Sequence, residues 1–143
     1  MVKFHESKYY EDWLLKARRD LDTAFLNNHH GGYTDTTCYF CHQVTEKALK
    51  AYLLAKGLKF LPKIHLLPLL LTMCADKDRD FLQFEEQCKI LNEYFIETKY
   101  PADMVMDYTR EEAEEAIEMA EKIYEFAEKK INHRGLDKRR KTN

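Results

Sequence analysis

The residues best equipped for chemistry gather on one stretch, Cys38 to Lys50. It holds His42, Gln43, Glu46, Lys47 and Lys50, which bring an imidazole, an amide, a carboxylate and two amines. At about 100° per residue these five fall within an arc of about 140° on a helix. Around them stand Cys38, Phe40, Cys41, Val44, Ala48, Leu49, Tyr52, Leu53 and Ala55. A helix apolar over most of its circumference is a central, buried one. Burying any of the five polar groups without a partner would be costly. The stripe is therefore expected to face a wet cleft, open solvent or another subunit. In a cleft, its ammonium groups would attract a phosphate.

Other candidates are weaker. Cys38-x-x-Cys41 followed by His42 has the look of half a zinc site, but a closed site takes four ligands in paired short motifs. Cys74 and Cys88 stand alone on apolar faces, so all four cysteines read as small buried thiols. No metal or cofactor is expected. His29-His30, before Gly31-Gly32, reads as a solvated loop pair. His65 follows Lys59 and Lys63 at a helix start, where backbone N–H groups favour anions, and is expected to cap that helix. No nucleophile elbow, P-loop, dinucleotide fingerprint or H-E-x-x-H motif occurs. The eight glutamates between Glu111 and Glu128 read as a solvated face, not an acid–base pair.

These groups must be positioned by helices. The chain has 143 residues, enough for one domain, but only four glycines and three prolines, too few for the many turns of an all-β fold. Apolar residues recur at helical spacing in four long segments. The first covers about residues 8–28, with Tyr10, Trp13, Leu14, Ala17, Leu21, Ala24 and Phe25 inward and Asp20 largely off that stripe. The second covers about 35–56. The fourth covers about 80–99, with Phe81, Phe84, Cys88, Leu91 and Phe95 on one face and Pro101 ending it. The fifth starts at a capping box, Thr109 with Glu112, and runs to about residue 131. A short third helix begins near His65, with Pro68 in its first turn. The predicted fold is all-α, an antiparallel up-and-down bundle of four long helices and one short one over residues 1–132.

A net charge of −2 excludes a uniformly basic nucleic-acid binder. The charge is uneven, because residues 133–143 carry five Lys/Arg against Asp137, a net +4. This segment is expected to be a solvated, disordered basic tail, of a kind that also meets phosphates or acidic partners. The first residues lack the apolar run of an export signal, so a cytoplasmic location with reduced thiols is expected. Leu66 to Leu71 is broken by Pro68 and too short to span a bilayer.

Read in order, several segments resemble one family. They are Trp13, Ala17, Asp20-Leu21 and Ala24, then Phe40, Gln43 and Glu46-Lys47-Ala48-Leu49-Lys50-Ala51. His65-Leu66 with Leu69-Leu70 follows, then Lys99-Tyr100-Pro101, Glu112-Ala113 and Ala116 to Ala120. The chain resembles the HEPN family, the higher eukaryotes and prokaryotes nucleotide-binding domain, over almost its whole length. The resemblance implies a prokaryotic, homodimeric helical bundle, often encoded beside or fused to a minimal nucleotidyltransferase. Nucleotide binding has been proposed for the family. Some members are metal-independent ribonucleases acting as toxins, with an R-x4–6-H motif that meets its copy across the dimer.

This chain departs from that catalytic pattern, since no Arg is followed by a His five to seven positions on. Lys99 stands where the family usually has Arg before Tyr-Pro, with Met104 and Met106 five and seven positions further. Metal-free RNA cleavage needs a group to move the 2′-hydroxyl proton and a cation to hold phosphate charge. Lys99 offers the second alone. The expected function is a non-catalytic module that binds a nucleotide or RNA phosphate and works with a nucleotidyltransferase. Its cleft would be lined by Lys47, Lys50, His65, Lys99 and Tyr100 and shaped by His42, Gln43 and Glu46. The alternatives are an interaction subunit of a toxin–antitoxin pair, and a ribonuclease with a degenerate site.

Overall fold

The computed structural model describes residues 7–95 and 107–142, with side chains to Asn132. Among these residues the structure is all-helical. Helix α1 spans Tyr10–His29, α2 Thr34–Ala55, α3 Leu67–Lys77, α4 Glu85–Asn92 and α5 Arg110–Thr142, with a 3-10 segment, Arg79–Phe84, before α4. The expected long fourth helix therefore begins as a 3-10 turn, and its last predicted residues lie outside those described. Helix α5 carries its helical backbone past Ile131 and on through the basic segment.

The bundle is organised around α2, which packs mainly against α1 and α5 and also against α3 and α4. Small residues make the close approaches possible. Ala17 and Ala24 on α1, Ala48 and Ala51 on α2, and Ala113, Ala116, Ala120 and Ala127 on α5 are all fully buried. Between them fit Leu49, Leu53, Leu67, Leu70, Phe81, Leu91 and Ile123. Tyr52 of α2 lies against Phe81, with ring centroids 4.4 Å apart. Packing of this density makes large-to-small changes costly.

The helix ends follow from local sequence. At the start of α5 the Thr109 hydroxyl accepts from the Glu112 N–H at 3.0 Å, and the Glu112 carboxylate accepts from the Thr109 N–H at 3.1 Å. This reciprocal pair satisfies two of the donors that a helix start leaves open. Helix α2 ends where Gly57 takes φ +98°. The Leu58 N–H then reaches the Leu53 carbonyl at 3.1 Å, and the Gly57 N–H reaches that of Leu54 at 3.0 Å. These are the two bonds of a Schellman cap, and the left-handed residue between them favours glycine. Pro68 sits in the first turn of α3. The Arg110 guanidinium donates to the Asn28 side chain at 2.7 Å and to the Gly32 carbonyl at 3.0 Å, tying the start of α5 to the α1–α2 turn.

Candidate functional site

Helix α2 turns much of its polar stripe inward. His42, Glu46 and Lys50 are all buried, and each finds its partners within the bundle. The Lys50 ammonium, 1% exposed, donates to the Glu46 carboxylate at 3.1 Å, one helical turn away. It also lies 5.6 Å from the centroid of the Trp13 ring on α1. Trp13 is itself fixed, because its indole N–H donates to the Ser7 carbonyl at 2.7 Å. A buried ammonium flanked by a carboxylate and an aromatic face has both a counter-charge and a polarisable lid.

The second oxygen of Glu46 points the other way, where Oε1 lies 2.9 Å from Nδ1 of His65. His65 precedes α3, and its side chain is 45% exposed. One buried carboxylate thus joins a buried ammonium to an imidazole at the surface. In neutral His65, Nδ1 carries the proton toward Glu46, and Nε2 is left as an acceptor.

His42 has a different role. Its Nε2–H donates to the His65 carbonyl at 2.9 Å, and its Nδ1 accepts from the Gln43 amide at 3.3 Å. Burial pushes its pKa down to about 4, against the raising influence of nearby Glu46. The 4.0 Å approach of His42 Nδ1 to Glu46 is therefore not an ion pair at neutral pH. The desolvation cost outweighs the attraction, and the hydrogen bonds fit the neutral ring. His42 braces the segment that presents His65. Phe95 stacks on both imidazoles, at 4.8 Å from His42 and 4.7 Å from His65, so the chain beyond α4 leaves from the edge of this cluster.

Lys47 lies apart from these groups, half-buried and paired with Asp20 of α1. Asp20 also meets Lys16 at 3.2 Å. Asp20 is buried on the inward side of α1, contrary to its expected place off the apolar stripe. Its carboxylate sits between two ammonium groups, which offset the cost of its burial.

The structure thus brings together four of the expected site residues, His42, Glu46, Lys50 and His65, with Gln43 at their edge. Lys50 enters it as the partner of Glu46, whereas Lys47 pairs with Asp20 outside it. His65 does not cap α3. Leu66 holds the N-cap position without a side-chain bond, and the Asn92 side chain accepts the Leu67 N–H at 2.9 Å instead. Lys99 and Tyr100 lie outside the described residues. Sequence reasoning missed Phe95 and Asn92 beside this cluster, and Asp20 as the partner of Lys47. Asp20 carried a signal, since it sits between Ala17 and Ala24 at helical spacing.

The thiols are free and lie in the core. Cys38, Cys41, Cys74 and Cys88 are all buried. Burial raises the pKa of Cys41 and Cys74, and pushes that of Cys88 up to about 12, which disfavours the reactive thiolate. Among the described residues no group of three or more His, Cys, Asp or Glu could hold a metal ion.

Among the described residues, an all-helical bundle whose central helix carries a charged network out to the His65 imidazole defines a small helical module with a polar edge there. The chain belongs to the HEPN domain family, whose model matches residues 10–131. Among solved structures it is similar to TT1696 from Thermus thermophilus. The two are 35% identical with a TM-score of 0.68, over 85% of this chain and 97% of that one. It is also similar to ST0689, an archaeal HEPN homologue. Here identity is 27% and the TM-score 0.70, over 87% of this chain and 99% of that one. No curated protein gives a significant match. No helix among the described residues is long and apolar enough to cross a membrane.

Proposed function

We propose that this HEPN-domain chain is a non-catalytic module that binds a nucleotide or RNA phosphate at its His65 edge. It would do so as a homodimer working with a minimal nucleotidyltransferase-type partner. The observation that carries the reading is His65 itself, a half-exposed imidazole whose ring is held by the buried Glu46 carboxylate. A ring fixed at Nδ1 holds Nε2 in one orientation, which lowers the entropy lost on binding, and in the imidazolium form that nitrogen carries the N–H that donates to a phosphate oxygen. It precedes the first turn of α3, where backbone N–H groups favour an anion. The exposed Lys59 and Lys63 on the approach to His65 add positive charge.

In this reading Lys47 and Lys50 do not touch the ligand. They neutralise Asp20 and Glu46 and so keep the wall rigid. Lys99 and Tyr100 follow Phe95 by four and five residues and supply the remaining contacts. The module does not cleave RNA, because the chain offers no R-x4–6-H pair.

Calorimetric titration of the protein with ATP, GTP and a short RNA tests the reading. Binding is expected for at least one of them, with loss of about tenfold or more in His65→Ala, the scale of one charge-assisted hydrogen bond. Absence of both heat and a melting shift at millimolar ligand would remove the reading.

A further inference from the structure

The segment that joins α2 to α3 has no helical backbone from Leu58 to Leu66, yet it is held along the bundle. Leu58, Leu61 and Ile64 are partly buried against the core, and Leu67 is fully buried. One residue in three therefore turns inward and pins the strip. Between these anchors Lys59, Phe60, Lys63, His65 and Leu66 are all exposed. Phe60 is 86% exposed, the most of any large apolar residue described. Leu66 and Leu69, one turn apart at the start of α3, are 47% and 46% exposed. A lone exposed apolar residue is ordinary, whereas several along one strip mark a contact surface.

The charge around these groups has one sign. From Lys47 to Ala75 the chain carries five lysines and neither Asp nor Glu. Lys47 and Lys50 are taken up by Asp20 and Glu46, and Lys56 lies over the Tyr52 ring at 5.4 Å. Lys59 and Lys63 stay at the surface on either side of Phe60. The eight glutamates between Glu111 and Glu128 lie instead on α5, which packs against α1 and α2. A charge distribution of this kind turns a molecule in an external field, with its positive strip toward a negative surface.

We propose that the strip from Lys59 to Leu69 docks on the surface of an anionic lipid bilayer. Lys59 and Lys63 meet the lipid phosphates, while Phe60, Leu66 and Leu69 enter the boundary between headgroups and acyl chains. This goes beyond the phosphate reading above, which leaves those three apolar groups unused. The occupant follows from the pairing of cations with exposed apolar groups on one strip. A nucleic acid would engage the lysines and stack on Phe60, but it would leave both leucines in water. A protein would need a hollow matched to a ring that stands clear of its surroundings, whereas a fluid interface receives it without one. The pinned backbone also means that docking orders little of the chain. Such a contact lies on the membrane without spanning it and weakens as salt screens the charges.

Flotation of the full chain with lipid vesicles tests this. The parent is expected to float with vesicles of phosphatidylcholine and phosphatidylglycerol in equal parts. It should stay behind with phosphatidylcholine alone and be released as salt is raised. Phe60→Ser should weaken the binding by about tenfold or more, and Phe60→Trp should keep it. Both changes fall on an exposed side chain and leave the fold intact. Vesicles with brominated acyl chains should quench the emission of Phe60→Trp well beyond that of the parent, whose one tryptophan, Trp13, is tied to Ser7. No flotation at low salt would overturn the proposal, and so would equal flotation of the parent and Phe60→Ser. Vesicle binding that is absent while Phe60→Ser weakens a short RNA would assign the strip to nucleic acid and overturn it as well.

Discussion

Nδ1 of His65, in the segment before α3, lies 2.9 Å from Oε1 of Glu46, a residue 19 positions earlier on α2. One partner is buried and the other half-exposed, so the bond carries the order of the core out to the surface. It also sets the ring's tautomer. Neutral His65 is expected as the Nδ1–H form, with Nε2 unprotonated, and ¹⁵N-detected NMR of the imidazole reads this directly. A dominant Nε2–H form would break the assignment. Glu46→Gln should weaken ligand binding by about tenfold through lost ring orientation, while His65→Ala should leave stability within about 1 kcal/mol because the side chain is half-exposed.

The Lys50–Glu46 pair is buried, and removing one charge strands the other. Lys50→Met is expected to cost about 3–5 kcal/mol in urea unfolding. Adding Glu46→Gln to Lys50→Met should recover more than half of that loss, since neither charge then remains alone. A single-variant cost below about 1 kcal/mol would show that the pair is already hydrated.

His42 makes stability fall on the acid side. Its folded pKa of about 4 lies below the ordinary 6.5, so between these values the unfolded chain binds the proton more readily. Stability from the neutral ring is complete above about pH 6.5 and is lost as pH falls through about 4, by up to about 3 kcal/mol. His42→Gln keeps a donor for the His65 carbonyl and should flatten this acid limb. Urea midpoints at pH 7 and pH 4.5 for both proteins decide the point, and parallel acid losses would assign the effect elsewhere.

Two helix ends offer a local comparison. Thr109→Ala removes the hydroxyl that accepts from Glu112 and should cost about 1 kcal/mol. Gly57→Ala forces a side chain to φ +98° and should cost about 1 kcal/mol or more. There is open space around Gly57, so the loss would come from backbone strain and not from a clash. Thermal melting of the two variants checks both, and a Gly57→Ala protein as stable as the parent would mean the cap has shifted.

Much of the fold was legible because its signals are local. The Thr109–Glu112 box, Pro68 in the first turn of α3 and the alanine stripe of α5 each act within one or two turns of chain. The fourth helix was read too simply, because the 3-10 geometry of Arg79–Phe84 depends on what Phe81 and Phe84 pack against. The polar stripe of α2 was legible as residues. Its direction was not, because burial is tolerated only where partners wait, and those of His42 and Glu46 include His65, about twenty residues further along the chain.

By itself the sequence determined where the helices lie, which faces are apolar, and that five polar groups share one side of the central helix. Periodicity and capping depend on neighbours three or four residues away, and a linear chain records those faithfully. Only the tertiary structure decided that the Glu46–Lys50 pair is buried under Trp13, that Lys47 turns to Asp20, and that His65 is held at the surface. Those partners come from other turns and other helices, and whether a charge is buried or exposed is settled by what packs over it.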